Sequence, residues 1–195
     1  SCRRVSAYSV RVGSFDIVEA SQSKLTVVKL EASFREMSDL KKLRDWFKEC
    51  PGALVAFSGG VDSSLLAFLS KHFLGRAQTL AVISASPSLK LSDLDEAKDF
   101  ARANDLSIRV ITTKEMENPS YFNNPTNRCY FCKHTLYDEL ADLSKDYTGW
   151  WVLNGTNKDD LGDYRPGLKA AAEFEVRSPL SDCGIDKEGV RALAA

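Results

Sequence analysis

Residues 58–64 have the residue types of a phosphate-binding loop. They read Ser-Gly-Gly-Val-Asp-Ser-Ser and follow the continuous apolar run of residues 53–57. Adjacent glycines let the backbone approach a ligand closely, and their N–H groups can form a concave anion site with those of a following helix. Serine hydroxyls can add donors to phosphate oxygens. The Gly-Lys-Ser/Thr ending of a Walker A loop is absent, so the sequence predicts a different kind of phosphate loop.

Asp62 is the unexpected member of this loop, because a carboxylate repels phosphate. It makes sense if it helps to hold a magnesium ion that bridges the phosphates. The alternative is a plain glycine turn in which Asp62 caps the following helix. Strand, full motif and helix arrive in succession here, and this combination favours the phosphate site.

A second reactive segment is residues 127–133, Asn-Arg-Cys-Tyr-Phe-Cys-Lys. Cys129 and Cys132 are three residues apart, so they share one face of a helix. A helix N-terminus and the neighbouring Arg128 and Lys133 would lower the pKa of both thiols. The pair could ligate a metal or a cluster, act as a nucleophile, form a redox couple, or simply fill the core. The spacing alone leaves these readings open, because a zinc site needs four ligands.

A third polar segment, residues 154–167, reads Asn-Gly-Thr-Asn-Lys-Asp-Asp-Leu-Gly-Asp-Tyr-Arg-Pro-Gly. Its aspartates, Asp159, Asp160 and Asp163, could bind magnesium or orient a substrate. Arg165 could neutralise the charge of a phosphate or carboxylate. A solvated polar loop is the alternative, but this segment follows a predicted strand just as the phosphate loop does.

The elements that must position these segments alternate along the chain. After a helix at residues 39–50, with Ser38 as N-cap, we predict a strand at 53–57 and a helix at 62–73. The pattern then repeats, with strands at 79–84, 108–112 and 150–153 and helices at 92–104 and 129–143. Such alternation predicts a doubly wound α/β fold with a parallel sheet, which binds ligands at the carboxyl ends of its strands. Residues 1–32 are interpreted as an N-terminal extension, and residues 33–195 as one domain.

The composition of the chain limits the classes of partner that it can bind. The chain has 195 residues, with 26 basic and 27 acidic side chains and a formal charge of −1. This balance gives no electrostatic footprint for nucleic acid, and no apolar run is long enough to span a membrane. Five cysteines in a chain too long to need disulfides indicate a reducing compartment and hence the cytoplasm. The first fifteen residues are basic and free of acids, which is typical of a transit peptide or of an irregular terminus.

The phosphate loop resembles that of the PP-loop ATP pyrophosphatases, a family that includes NAD, GMP and asparagine synthetases and tRNA-thiolating enzymes. The resemblance implies the adenine nucleotide alpha hydrolase-like (HUP-type) fold, with ATP and Mg²⁺ as cofactors. It also implies that ATP is split between its α and β phosphates and that the substrate becomes an adenylate. The adenine would lie near Ser84 and Ala85. The implied nucleotide-binding residues are Ser58, Gly59, Gly60, Val61, Ser63, Ser64, Ser84 and Gly155.

All three segments, followed by Val-Arg-Ser-Pro-Leu at residues 176–180, together resemble the LarE family of ATP-dependent sacrificial sulfur transferases, which act in nickel-pincer cofactor synthesis. The resemblance implies that a carboxylate of a pyridinium biscarboxylate mononucleotide is adenylated and then receives sulfur. The sulfur would come from a consumed cysteine or from a 4Fe–4S cluster, for which Cys129 and Cys132 would be two of three ligands. The implied catalytic residues are Asp62, Lys133, Asp160 and Arg165, and the protein would form a homo-oligomer.

Family members carry a further cysteine in a Cys-Leu-Ala-Ser-Arg segment of a C-terminal region, which these 195 residues do not contain. We therefore expect this chain to correspond to the adenylating part of such an enzyme. Two other functions stay open. A tRNA-thiolating enzyme would use the same loop but should have a basic surface, and an ATP-binding module would bind the nucleotide without turnover.

Overall fold

The structure, a computed structural model, describes residues 34–85, 89–112, 128–162 and 166–195. The extension predicted for residues 1–32 lies outside them. Within the described residues, four parallel strands form one sheet in the order β3-β2-β1-β4. The strands are β1 (Ala53–Ala56), β2 (Thr79–Ser84), β3 (Ile108–Ile111) and β4 (Trp151–Leu153). The parallel sheet predicted from the alternating pattern is confirmed.

Helices connect and cover these strands. They are α1 (Phe34–Phe47), α2 (Val61–Leu74), α3 (Leu91–Ala103), α4 (Arg128–Ser144), α5 (Pro166–Glu173), α6 (Pro179–Asp182) and α7 (Lys187–Leu193). Short 3₁₀ helices lie at Arg76–Gln78 and Lys158–Gly162. In the part of the chain that the structure describes, no helix combines the length and the apolar character needed to cross a membrane.

The sheet is buried on both faces, because residues of β1 alternate between two apolar clusters. Val55 belongs to the cluster that includes residues of α1, α2, α3 and α7. Leu54 belongs to the opposite cluster, where it lies with Tyr137 of α4 and Ala170 of α5. All four side chains are almost fully buried. Helices on both faces make this a doubly wound α/β fold, as predicted.

The position of the site follows from the strand order. β1 pairs with β2 on one side and with β4 on the other, so the winding of the chain reverses between β1 and β4. A crevice opens at such a switch point, outside the carboxyl ends of the two strands. Two segments leave the sheet there: the phosphate loop (residues 58–64) and the segment we call the aspartate loop (residues 154–162).

The element ends differ from the predictions mainly in the first helix, which ends at Phe47 rather than at residue 50. From β1 to β4, predicted and observed ends differ by one residue at most. The first helix begins at Phe34, so Ser38 lies inside it and the predicted N-cap is wrong. Arg35, in the first turn of this helix, forms ion pairs with Asp186 and with Glu188 of α7. Helices α5, α6 and α7 were not predicted, because segments of four to eight residues show little periodicity.

Candidate nucleotide site

The phosphate loop is held in shape by its own serines. Ser63 Oγ donates to the carbonyl oxygen of Gly60 at 2.9 Å and accepts from the backbone N–H of Ser58 at 3.2 Å. Ser58 Oγ lies 3.0 Å from the same hydroxyl. Because a hydroxyl has one proton and Ser63 gives it to Gly60, Ser58 must be the donor in this contact. Ser63 was predicted to bind phosphate, and in this structure its hydroxyl proton is used to close the loop.

The loop leaves the N-terminus of α2 open. Gly59 has a φ of +76°, a left-handed conformation that favours glycine. Gly60 is the N-cap residue and offers no side chain to the first N–H groups of the helix. Those groups carry the positive end of the helix dipole and can bind an anion. Asp62 lies in the first turn rather than at the cap, so the interpretation of Asp62 as a capping residue is wrong.

Asp62 is bound from two distant parts of the chain. Its Oδ1 accepts a hydrogen bond from Asn157 Nδ2 at 3.1 Å, and its Oδ2 forms an ion pair with Lys187 Nζ. The predictions included neither partner. Asn157 lies inside the third polar segment, where it could have been considered, but a single lysine near residue 187 carries no spacing signal.

Gly155 brings the aspartate loop against the phosphate loop. A Cβ atom added at Gly155 would stand 2.8 Å from the backbone nitrogen of Ser63 and 2.9 Å from the carbonyl carbon of Asp62. These are backbone atoms, which have little freedom to move away. The two loops therefore touch backbone to backbone, and a side chain at position 155 would push them apart.

The aspartate loop is ordered by hydrogen bonds that its side-chain oxygens accept from backbone N–H groups. Asp160 Oδ2 accepts from the N–H of Asn157 at 3.0 Å. Asn157 Oδ1 accepts from the N–H of Asp159, and Asp159 Oδ2 accepts from the N–H of Lys187, both at 3.0 Å. Asn157 is only 2% exposed. The polar loop is thus an organised part of the site, although Asp163 and Arg165 lie outside the described residues.

A buried network supports this loop from below. Asn154 donates to the hydroxyl oxygen of Tyr137 at 3.2 Å and accepts from Ser178 Oγ at 2.8 Å and from the N–H of Thr156 at 3.0 Å. Tyr137 is 2% exposed, and burial raises the pKa of its phenol. The network therefore joins α4, which carries the cysteine pair, to the end of β4.

The cysteine segment forms the start of α4, as predicted. Cys132 is half-buried and the side chain of Cys129 lies outside the described set. Lys133 lies along the first turn of α5, because a Cβ at Gly167 would collide with Lys133 Cδ and stand 3.0 Å from its Nζ. Among the described residues, no three histidine, cysteine or acidic side chains are grouped as a metal site. The ring of His134 packs edge-on against that of Phe174, with the ring centroids 4.9 Å apart.

Two other cysteines are unsuited to nucleophilic chemistry. Burial raises the pKa of the Cys50 thiol to about 11, and burial together with Asp182 raises that of Cys183 to about 11. Both thiols therefore stay protonated near neutral pH.

Ser84, near which the sequence predicts the adenine, ends β2 and is partly buried. The next residue, Ala85, donates its N–H to the carbonyl oxygen of Ile111 on the neighbouring strand at 2.7 Å.

Comparisons with known proteins agree with this geometry. A family model for NAD synthase matches residues 39–127. The structure of a glutamine-dependent NAD⁺ synthetase from Acinetobacter baumannii, in complex with ADP, superposes with a TM-score of 0.67 at 21% identity, covering 91% of this chain and 34% of that one. NMN synthetase from Francisella tularensis gives 0.63 at 18% identity, over 83% and 70%. The chain therefore shares the fold of these synthetases, and residues 39–127 match the NAD synthase family model.

Two relatives narrow the likeness further. The chain is 34% identical, over 147 residues, to pyridinium-3,5-bisthiocarboxylic acid mononucleotide synthase of Lactiplantibacillus plantarum, which covers 75% of this chain and 53% of that protein. It is 43% identical to an uncharacterised protein of Synechocystis, over 80% and 58%. The chain thus spans a little more than half the length of these relatives. The likeness to the mononucleotide synthase confirms the resemblance drawn from the motifs.

Proposed function

We propose that this chain binds ATP at the switch-point crevice and adenylates a carboxylate, releasing pyrophosphate. The observation that carries the proposal is the uncapped N-terminus of α2, which opens beside the ammonium of Lys187 where the two loops touch at Gly155. Backbone N–H groups and a nearby cation are the donor set that phosphate oxygens require. The close backbone contact leaves a cradle that a side chain would fill.

In this reaction a carboxylate oxygen of the substrate attacks the α-phosphorus of ATP. A new O–P bond forms, the bond from the α-phosphorus to the bridging oxygen breaks, and pyrophosphate leaves with the electron pair. The N–H groups at the start of α2 and the Lys187 ammonium would stabilise the charge that gathers on the leaving group. Asp62 is the carboxylate that would help to hold Mg²⁺, whose charge reduces the repulsion between phosphate groups.

For the substrate, we propose a pyridinium biscarboxylate mononucleotide and LarE-like sulfur transfer. The likeness to the mononucleotide synthase over three quarters of the chain supports this choice. Lys133, on the second turn of α4 beside α5, and Arg165 would bind substrate carboxylates. Cys129 and Cys132 would deliver the sulfur or ligate a 4Fe–4S cluster.

Pyrophosphate release tests the proposal. The chain is incubated with ATP, Mg²⁺ and the pyridinium biscarboxylate mononucleotide, and pyrophosphate and AMP are measured with and without the carboxylate. We expect carboxylate-dependent release that Asp62→Asn lowers about a hundredfold, because misplaced phosphates react slowly. The matched control is Asp105→Asn, which alters an exposed carboxylate paired with Arg76 away from the loops and should keep the wild-type rate.

Other outcomes separate the alternatives. ATP binding without pyrophosphate release under any condition would contradict an enzymatic role and favour a binding module. Release that depends on tRNA, and weakens steeply with salt, would favour a tRNA-thiolating enzyme. A cytoplasmic location and a homo-oligomer belong to the same proposal, and light scattering of the purified chain measures the oligomer.

A further inference from the structure

Arg35, on the first turn of α1, binds the residues on either side of Lys187. Its Nη2 lies 2.5 and 2.6 Å from the two carboxylate oxygens of Asp186, and its Nη1 lies 2.9 Å from Glu188 Oε2. One guanidinium therefore engages both neighbours of the lysine that pairs with Asp62. Such a forked arrangement fixes geometry better than a single surface ion pair does.

The backbone at Lys187 is held as well. Asp186 caps α7 by accepting from the N–H of Gly189 at 2.8 Å, and Asp159 Oδ2 accepts from the N–H of Lys187. Asp39 of α1 is 5% exposed, and its Oδ2 would lie 3.3 Å from a Cβ at Gly189, so α7 starts directly on α1. The N–H of Gly189 and the guanidinium of Arg35 lower the pKa of Asp186, which therefore stays ionised in this arrangement.

The charges around Lys187 compete for it. Asp186 and Glu188 are its nearest neighbours in sequence, and Asp62 is 125 residues away. The ammonium nevertheless pairs with Asp62, while Arg35 engages the two neighbouring carboxylates. We infer that Arg35 is a positioning residue: by holding Asp186 and Glu188, it directs Lys187 to Asp62 and to the phosphate loop. The effect of Arg35 on ATP binding rests on the proposed function, whereas its positioning of Lys187 does not.

A ligand-free experiment tests the geometry. Lysine acetylation is measured by mass spectrometry under native conditions, and the rate at Lys187 is compared among variants. We expect Arg35→Ala to raise this rate several-fold, as Asp62→Asn should, because the ammonium loses its place on Asp62. Lys41→Ala removes another ion pair of α1, with Asp45 at 3.2 Å, and should leave the rate unchanged. An unchanged rate in Arg35→Ala, beside a raised rate in Asp62→Asn, would overturn the inference.

A double-mutant cycle tests the consequence. Arg35→Ala should weaken ATP binding about three- to fivefold, the effect of an exposed charge network, with the melting temperature close to that of Lys41→Ala. In a Lys187→Ala background the same change should have no further effect, since the residue it positions is gone. Equal weakening in both backgrounds would mean a merely structural role and would overturn the inference. If wild type binds no ATP while the acetylation pattern holds, the proposed function fails and the positioning role stands.

Discussion

The two loops of the crevice are built in opposite ways. The phosphate loop is shaped by neighbours in sequence: Ser63 bonds to Ser58 and Gly60, and the helix begins at once. The aspartate loop adds distant contacts to its own local bonds: the N–H of Lys158 donates to the carbonyl oxygen of Ile185 at 2.8 Å, and Asp159 accepts from the N–H of Lys187. In the proposed site, a local motif thus supplies the anion-binding groups, and long-range contacts supply the walls and the cation. Substitutions can test each half of this comparison separately.

The largest effect is expected where the loops touch. Gly155→Ala forces a methyl group against the backbone of Ser63, so the loops must separate. We expect a loss of about 1–3 kcal/mol in the free energy of unfolding, as for other overpacked sites. ATP affinity should fall about a hundredfold, because small displacements of binding groups are costly. Chemical denaturation and calorimetry measure both quantities. Gly162→Ala, in the same loop with open space around it, should change neither.

Ser63→Ala tests the phosphate loop, which is shaped by neighbours in sequence. This change removes the hydroxyl that closes the phosphate loop, and we expect about a tenfold loss of ATP affinity and about 1 kcal/mol of stability. Ser70→Ala is the matched control, since Ser70 is buried on the same helix and donates to Leu66 at 2.8 Å. Ser70→Ala should lower the free energy of unfolding by a similar amount without weakening ATP binding. If both variants weaken ATP binding equally, closure of the loop by Ser63 has no special role in ATP binding.

The buried network around Asn154, which supports the aspartate loop, should affect ATP binding less. Tyr137→Phe leaves the side-chain amide of Asn154 without one partner, and we expect about 1 kcal/mol of destabilisation, with ATP affinity changed less than by Ser63→Ala. Urea unfolding and ATP titration check this. Tyr130→Phe, on the same helix but with an exposed hydroxyl bond to Glu173 at 2.7 Å, should change stability by less. A larger loss of ATP affinity than in Ser63→Ala would reverse the ranking of the two loops.

The last prediction concerns the reactivity of a thiol rather than ATP binding: Cys183 lies beside the helices that wall the aspartate loop. Burial raises its pKa to about 11, so iodoacetamide should alkylate it at pH 8 about a hundredfold more slowly than in the unfolded chain. The rate should climb until the pH nears 11. The folded state binds this proton more tightly, so the associated stability is present below the unfolded pKa and is lost as the pH rises through 11. Fast alkylation at pH 8 would contradict the burial.

The sequence was informative where structure is local. The alternation of apolar runs and glycine breaks predicted the parallel sheet, and the motif at Ser58 placed the phosphate loop at its carboxyl edge. It did not indicate Asn157 or Lys187, which reach Asp62 from 95 and 125 residues away. Pairings over such separations leave no spacing for sequence reasoning to detect. The roles of Arg165 and Cys129 stay predictions, since their side chains lie outside the described residues.

Competition between ATP and pyrophosphate tests whether the phosphate loop, with Lys187 beside it, holds the phosphate groups that leave as pyrophosphate. Calorimetric titration with ATP and Mg²⁺ should show one site per chain, and added pyrophosphate should displace the nucleotide from it, both interactions weakening in Lys187→Ala. Pyrophosphate that binds without displacing ATP, or ATP binding that is indifferent to Lys187, would contradict the account.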